Sequence, residues 1–290
     1  MTTASLRIHL FHINRNEGTE PLQNVLRRIS RDSLEERVRQ QNGTNYRLED
    51  IVAPRNGESI WELNFVRMRD AHGPGRVSKR HHLTGFDLDE DEYFGEDTAV
   101  LFNQSNHYAV VQYNHWGVRP HALQEYLSGY RNNVTNIYEL RPKLDRSAER
   151  RFQDQTVTRR ISIGIDPTKM TSDDLIEGRS LTQIAKIGTD LGAHRVDITI
   201  SMGSTKKGKL KTLAKNVVKW AMDNVADDAL LKLTSYGGSD PEGDYENIDL
   251  LEEKLEEKYN LPVESDKRIS LENRIKALKR AYSSWRSQMS

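Results

Sequence analysis

The stretch TAVLFNQSNHYAVVQYNHWGV, residues 98–118, contains no Asp, Glu, Lys or Arg in a chain of which 30% of the residues are charged. Two apolar runs, Ala99–Phe102 and Tyr108–Tyr113, flank the polar segment Asn103–His107. Apolar runs of this length around a short polar segment are typical of a β-hairpin. The stretch therefore predicts a buried hairpin in the core of a first domain.

Hydrophobic periodicity on both sides of this stretch predicts an α+β fold. Alternation of apolar and polar residues predicts strands at Leu6–Ile13, Ile60–Arg69, Val134–Leu140, Val157–Ile165, Val196–Met202 and Ala229–Ser235. Helical spacing predicts helices at Pro21–Arg31, Pro120–Tyr130, Leu181–Leu191, Leu210–Asn224, Ile248–Tyr259 and Leu271–Met289. We expect mixed β-sheets with packed helices and a long C-terminal helix.

The charged stretch Arg141–Asp154 resembles a linker between two halves of the chain. We expect an N-terminal α+β domain, residues 1–145, that holds the uncharged hairpin. A C-terminal α+β domain, residues 146–290, would carry a Lys-rich helix. A length of 290 residues is sufficient for two such domains.

The composition excludes several classes of protein. The chain has no cysteine, which excludes a disulfide framework, a Cys-based zinc site and a Cys nucleophile. No window approaches the roughly 18 apolar residues of a spanning helix, and the start MTTASLRIHLFHINRNEG lacks the apolar core of a secretory signal. We expect a cytoplasmic protein with no catalytic residues, no metal site, no cofactor and no small-molecule substrate.

The net charge of zero conceals segregated charge. Residues 86–97 contain seven acidic residues and no basic one, and residues 206–219 contain six Lys and no acidic residue. Residues 220–260 contain twelve acidic residues against three basic ones. The acidic run at 86–97 lacks the spacing of a calcium loop and is interpreted as a solvated loop, or as a cap that guards a basic surface.

The lysine block is the leading candidate for binding an anionic polymer. Its members are Lys206, Lys207, Lys209, Lys211, Lys215 and Lys219. The last three lie four residues apart and share one helix face. Lysines and backbone amides at a helix start both bind phosphate, so duplex DNA is the expected partner. Arg76, Lys79 and Arg80 in the loop Ala71–His82 are additional DNA-binding candidates, and the alternative for the block is a solvated helix face.

Two other functions stay open. Gly203–Lys209 has the strand-to-helix setting and the Gly203, Gly208 and Lys209 frame of a phosphate-binding loop, although Leu210 replaces the Ser or Thr that holds magnesium. This frame would suit a nuclease or a nucleotide hydrolase. A protein-binding module that uses the acidic segment 220–260 is the third alternative.

The chain resembles the RexA family of phage-exclusion proteins. The resemblance is carried by GEDTAVLF at 95–102, LQEYL at 123–127, VDITI at 196–200 with the Lys-rich segment after it, and the helix that follows LPV at 261–263. A broader resemblance to the KwaB subunit of the Kiwa antiphage system has the same outline.

The resemblance implies a function in bacterial or prophage antiviral defence. It implies a cytoplasmic homodimer that binds double-stranded DNA with little sequence preference and signals to a membrane-protein effector in abortive infection. The family's DNA contacts are not transferable residue by residue, so the DNA-binding candidates above rest on charge alone. The acidic segment 220–260 departs from a uniformly basic binding face.

Overall fold

A computed structural model describes residues 2–41, 43–70, 73–130, 138–145, 147, 157–165, 180–201, 231–238, 246–249 and 254–289. The strands in chain order are β1 Thr3–Arg15, β2 Arg39–Gln41, β3 Thr44–Val52, β4 Ile60–Arg69, β5 Phe94–Asn103, β6 Tyr108–Tyr113, β7 Tyr138–Pro142, β8 Val157–Ile165, β9 Val196–Ser201, β10 Leu231–Gly238, β11 Glu246–Asp249 and β12 Glu256–Pro262. The helices are α1 Leu22–Ile29, α2 Pro120–Ser128, α3 Ser180–Asp190 and α4 Leu271–Ser284, followed by a 3₁₀ turn at Arg286–Gln288. The fold class is α+β, as predicted.

The larger sheet has eight strands in the order β12-β1-β6-β5-β4-β3-β2, with β7 paired to β1. The strands from β2 to β6 pair antiparallel with their sequence neighbours. In the β4–β5 pair, Ile60 lies opposite Asn103 at one end and Arg69 lies opposite Phe94 at the other. The predicted hairpin is confirmed as β5 and β6, with Val100 opposite Val111.

The uncharged hairpin forms the centre of this sheet. The side chains of Ala99–Phe102 and Ala109–Val111 are all buried. Successive residues of a strand point to opposite faces, and β4 shows this directly. The ring of Phe65 packs edge-on against Tyr126 of α2, with 5.6 Å between centroids, whereas Asn64 contacts Arg274 of α4. Helices α2 and α4 therefore cover opposite faces of the sheet.

A buried polar network fastens α4 to the sheet. Arg274, which is 4% exposed, forms an ion pair with Asp97 of β5 and donates to the side-chain oxygen of Gln112 in β6 at 3.0 Å. Its desolvation lowers the pKa of the guanidinium, and the Asp97 carboxylate opposes that shift. Tyr282 extends the network, because its hydroxyl accepts from the amide of Asn103 at 2.6 Å.

The second sheet has four antiparallel strands in the order β11-β10-β8-β9. Residues 160–165 of β8 pair with residues 196–201 of β9, and β8 pairs on its other side with β10. The chain divides into two compact units. Unit 1 comprises Met1–Ile8, Ile13–Glu139 and Glu257–Trp285, and unit 2 comprises His9–His12, Leu140–Glu256 and Arg286–Ser290. The division into domains at residues 1–145 and 146–290 stays a prediction.

One predicted helix is wrong. Residues 248–259 were predicted as helical from the spacing of Ile248, Leu251 and Leu255, but β11 ends at Asp249 and β12 begins at Glu256. Their strand geometry comes from pairing, since β11 pairs with β10 and β12 with β1. The predicted helix Leu210–Asn224 lies outside the described residues. Within the described part of the chain, no helix has the length and apolarity to span a membrane.

Candidate nucleic-acid interface

The connection between β4 and β5 leaves the sheet at Arg69 and returns at Phe94, which are paired across the two strands. All of its residues from 74 to 93 are exposed. The backbone amide of Arg76 donates to the carbonyl of Thr84 at 2.7 Å, and the amide of Thr84 donates to the carbonyl of Arg76 at 2.9 Å. These two bonds close residues 76–84 into a small hairpin, here called the basic arm.

The basic arm carries three cations and no acidic residue. Arg76, Lys79 and Arg80 are exposed, and in the described part of the chain none of them forms an ion pair with an acidic side chain. At the tip, the amides of Arg80 and His81 donate to the hydroxyl of Ser78 at 3.2 and 3.1 Å, which forms a local turn. The cations are therefore presented to solvent on a hydrogen-bonded support, where an anion meets no competing carboxylate within the arm.

Two glycines fix the root of the arm. A Cβ at Gly73 would lie 2.1 Å from the ring of Phe94, and one at Gly75 would lie 2.5 Å from Leu83 and 3.0 Å from the carbonyl of Thr84. A side chain at Gly73 would displace the ring of Phe94, whereas one at Gly75 would displace the exposed end of Leu83. The arm is thus packed against the start of β5 at its base.

Trp116 lies beside the root of the arm. It follows β6 and is 50% exposed, and the guanidinium carbon of Arg69 lies 4.9 Å from its ring centroid. The His115 ring meets it edge-on, with 4.9 Å between centroids. Arg69 also approaches the carboxylate of Glu96 to 3.8 Å. Arg69 and Trp116 therefore form a cation–π pair at the end of β4, and the indole remains half exposed. Such pairs contribute about 0.5–1 kcal/mol at exposed sites.

The turn that displays Trp116 is tied to β5 by hydrogen bonds. The side-chain amide of Asn114 donates to the carbonyl of Asp97 at 3.0 Å, and the buried Thr98 hydroxyl accepts from the amide of Val118 at 2.9 Å. A Cβ at Gly117 would lie 2.5 Å from that hydroxyl. Because the turn lies this close to β5, the indole is held outward in a defined position.

The same end of the sheet carries a second arginine–aromatic cluster. The guanidinium carbons of Arg7 and Arg119 each lie 5.7 Å from the ring centroid of Tyr113. Arg119 is buried and also contacts His115 at 3.2 Å. This cluster lies at the base of the turn, and Trp116 is the exposed aromatic residue of that turn.

The exposed part of the acidic run, Asp87–Glu92, follows the basic arm in the same connection, whereas the last two acidic residues, Glu96 and Asp97, are half-buried in β5 and not in a solvated loop. Asp87, Asp89, Glu90, Asp91 and Glu92 are all exposed. The carboxylate of Glu92 accepts from the amide of Asp89 at 3.1 Å, which makes a turn inside the run. Phe86 and Phe94 flank this exposed part of the run, with their ring centroids 6.3 Å apart. The connection is therefore bipolar, with a cationic hairpin first and an anionic turn after it.

Shifted pKa values among the described residues include a tyrosine cluster beneath α2. Burial raises the pKa of Tyr126 to about 12, and burial together with the Asp32 carboxylate raises that of Tyr130. The Tyr126 hydroxyl donates to the carbonyl of Arg37 at 2.7 Å and accepts from the amide of Leu48 at 3.1 Å. These partners belong to the core, so the cluster is structural. The described residues contain no group of three or more His, Asp or Glu side chains able to hold a metal ion.

The predicted site residues fall into two sets. Arg76, Lys79 and Arg80 lie together on the basic arm. The other candidates lie outside the described residues, namely Lys206, Lys207, Lys209, Lys211, Lys215 and Lys219 together with the loop Gly203–Lys209. Sequence reasoning missed Arg69, His115 and Trp116. The signal that was available is NHWG at 114–117, a tryptophan between an asparagine and a glycine that both favour a turn.

The chain was compared with models of protein families and with curated proteins. The model of a family described as a family of unknown function (DUF6731) matches residues 12–289. No curated protein matches the chain. The matched range includes the basic arm, the Trp116 turn and the C-terminal helix.

Proposed function

We propose a DNA-binding function for this chain, which belongs to DUF6731, a family of unknown function. It binds double-stranded DNA through backbone phosphates and with little sequence preference. The observation that carries this proposal is the basic arm, whose three cations are exposed and have no acidic partner among the described residues. Contacts to phosphate oxygens carry no sequence information, so a site that contacts only the phosphates binds many sequences alike.

The charge of the arm explains why we propose DNA as its ligand and not a small anion. Exposed Arg and Lys side chains release condensed counterions when they neutralise phosphates, and this release supplies most of the free energy of non-specific DNA binding. Salt bridges to a small anion in water would contribute only about 0–1 kcal/mol. A polymer with closely spaced charges engages all three cations at once. The lysine block at 206–219 adds six more contacts to the proposal on the basis of its sequence.

We infer further that DNA binding is the sensing step of an antiphage defence system. The support is the resemblance to the RexA family and to KwaB. In this proposal a homodimer detects DNA during infection and signals to a membrane-protein effector. Bacteria that express the protein with its genomic neighbours should resist phage, and alanine substitution of the three arm cations should abolish the resistance. Full resistance with the substituted protein would contradict this role.

A salt titration tests the DNA-binding function. Fluorescence anisotropy of a labelled 20-base-pair duplex gives the affinity at several salt concentrations between 25 and 200 mM. Each phosphate contact contributes about 0.9 to the slope of log K against log salt. The variant Arg76→Ala, Lys79→Ala, Arg80→Ala should therefore lower the slope by about 2.7 and weaken binding most at low salt.

A matched variant separates the site from net charge. Substitution of the exposed Arg27, Arg31 and Arg55 by alanine removes the same charge elsewhere on unit 1, and it should leave the slope within about 0.5 of the wild-type value. Two duplexes of unrelated sequence should bind with similar affinity. The proposal fails if no duplex binds at the lowest salt, or if the two triple variants lose the same slope.

A further inference from the structure

We propose that Trp116 is a stacking site for an unpaired nucleobase, so that the interface binds DNA with a single-stranded segment more tightly than blunt duplex. This inference rests on the proposed function and deepens it, because it names the form of DNA that the site prefers. The juxtaposition that carries it is an outward-held indole, an arginine over its ring and a cationic arm, all at the end of the sheet where β4 meets β5.

The exposure of Trp116 has no structural explanation in the core. The other two tryptophans among the described residues, Trp61 and Trp285, are 1% and 6% exposed. Trp116 is 50% exposed, although burial of an indole removes more apolar surface from water than burial of a smaller apolar side chain. Its turn is fastened by Asn114 and Gly117, so the indole cannot move inward without breaking these contacts. The geometry therefore favours a ligand that covers the ring.

The neighbours of the ring indicate the chemistry of that ligand. Arg69 lies over the indole, while Arg76, Lys79 and Arg80 extend from the same strand end. Aromatic rings interleaved with cations are the recurrent pattern of sites for single-stranded nucleic acids, in which bases stack on the rings and phosphates follow the cations. A hydrophobic protein partner would gain nothing from the four cations. A nucleotide chain uses both features.

The stacking partner must be an unpaired base. In duplex DNA both faces of each internal base are covered by neighbouring base pairs, so a tryptophan reaches the face of an unpaired base only at a gap or an overhang, or after a base leaves the stack. Stacking on an aromatic side chain accounts for a factor of about 5 to 150 in affinity per base. It involves no counterion release, so its contribution should not vary with salt.

The experiment compares three probes bound to the full chain. The first is a blunt 20-base-pair duplex, the second is the same duplex with a five-nucleotide dT overhang, and the third carries an overhang of five abasic nucleotides. The abasic probe has the phosphates of the second probe without its bases. Wild-type protein should bind the dT overhang at least fivefold tighter than the abasic overhang. Equal affinity for these two probes would overturn the inference.

Substitution at Trp116 identifies the side chain. Trp116→Ala should lower affinity for the dT overhang by about 5- to 150-fold and change affinity for the blunt duplex by less than about twofold. Trp116→Phe keeps an aromatic face and should retain most of the difference between the probes. Leu34→Ala removes another exposed apolar side chain, 44% exposed in the wild type, and should change neither affinity. Equal loss by Trp116→Ala on all three probes would overturn the inference.

The outcomes distinguish this inference from the proposed function. If blunt duplex binds with a salt slope that depends on the arm cations but Trp116→Ala has no effect on any probe, the stacking site is wrong and DNA binding stands. If no probe binds at 25 mM salt, both proposals fail. The ratio of wild-type to Trp116→Ala affinity should stay constant between 25 and 200 mM salt, and a ratio that falls with salt would contradict stacking.

Discussion

Single side chains make two different contributions in unit 1. Tyr126 is almost fully buried, and its hydroxyl bridges the carbonyl of Arg37 and the amide of Leu48. Both hydrogen bonds connect α2 to the chain around β3, so this tyrosine stabilises the fold. Trp116 has a larger apolar surface and remains half exposed. The difference in burial between these two aromatic residues is the reason that we assign a packing role to Tyr126 and propose a binding role for Trp116.

The burial of Tyr126 predicts a loss of stability at high pH. An unfolded tyrosine ionises near pH 10, whereas Tyr126 in the folded protein has a pKa of about 12. Between these values the unfolded state releases a proton that the folded state retains, so the free energy of unfolding falls as pH rises, by about 1.4 kcal/mol per pH unit for this one group.

Urea denaturation at pH 9, 10 and 11 measures this effect. Tyr126→Phe should start from a lower stability, because the two hydrogen bonds are lost, and should then show a pH slope that is shallower by about half a proton averaged over pH 9 to 11. The wild-type slope also contains the raised pKa of Tyr130 and Tyr138, which the variant retains. Parallel slopes for the two proteins would show that Tyr126 does not titrate as expected.

At the scale of elements, α4 is held to the sheet by one buried cation. Arg274 is 4% exposed and pairs with Asp97, which also binds Arg268 at 2.6 Å. The side chain of Arg268 is 53% exposed. Two arginines therefore share one carboxylate, one from a buried position and one from the surface. Removal of a partner from a buried pair leaves uncompensated polar groups, whereas a surface ion pair contributes little.

The two arginines provide a matched pair of variants. Arg274→Ala should lower the free energy of unfolding by about 3–5 kcal/mol, because Asp97 and Gln112 lose their buried donor. Arg268→Ala should lower it by less than about 1 kcal/mol. Chemical denaturation of both variants measures the difference. Similar losses would mean that the depth of the ion pair does not determine its contribution.

The elements that sequence predicted correctly are those defined by local pattern. The hairpin, β4 and α1 have clear periodicity over six or more residues and are confirmed. Strand β12 was mistaken for part of a helix because its pairing with β1 joins segments about 250 residues apart, which no local pattern reports. In the site, the cations of the arm were visible as charge. Trp116 was not selected, since its exposure depends on how the turn at Gly117 meets Thr98.

At the scale of the whole molecule, a net charge of zero coexists with strong local charge. The basic arm is followed by residues 87–92 of the acidic run, and both segments are exposed. Like charges on the acidic run and on DNA repel, by about 0.4 kcal/mol per pair at 10 Å in water before screening. The acidic run should therefore restrict how DNA approaches the arm, and this effect should disappear at high salt.

Neutralisation of the acidic run should strengthen DNA binding. Asp89→Asn, Glu90→Gln and Asp91→Asn together should raise the affinity for duplex about two- to fivefold at 50 mM salt and have little effect at 300 mM. Glu92 is left unchanged because it caps the turn. The control replaces the exposed Glu17, Glu35 and Glu264 by Gln. An equal gain in the control would assign the effect to net charge alone.

Unit 1 is built from segments that are far apart in the chain, and this separation matters during synthesis. The chain leaves this unit at Glu139 and returns to it at Glu257, and Arg274 binds a carboxylate 177 residues earlier. A ribosome adding about 5–20 residues per second needs roughly 9 seconds or more to make that interval. Throughout this time the face of β5 and β6 that α4 later covers is bare on the nascent chain, so chaperones have several seconds in which to bind there.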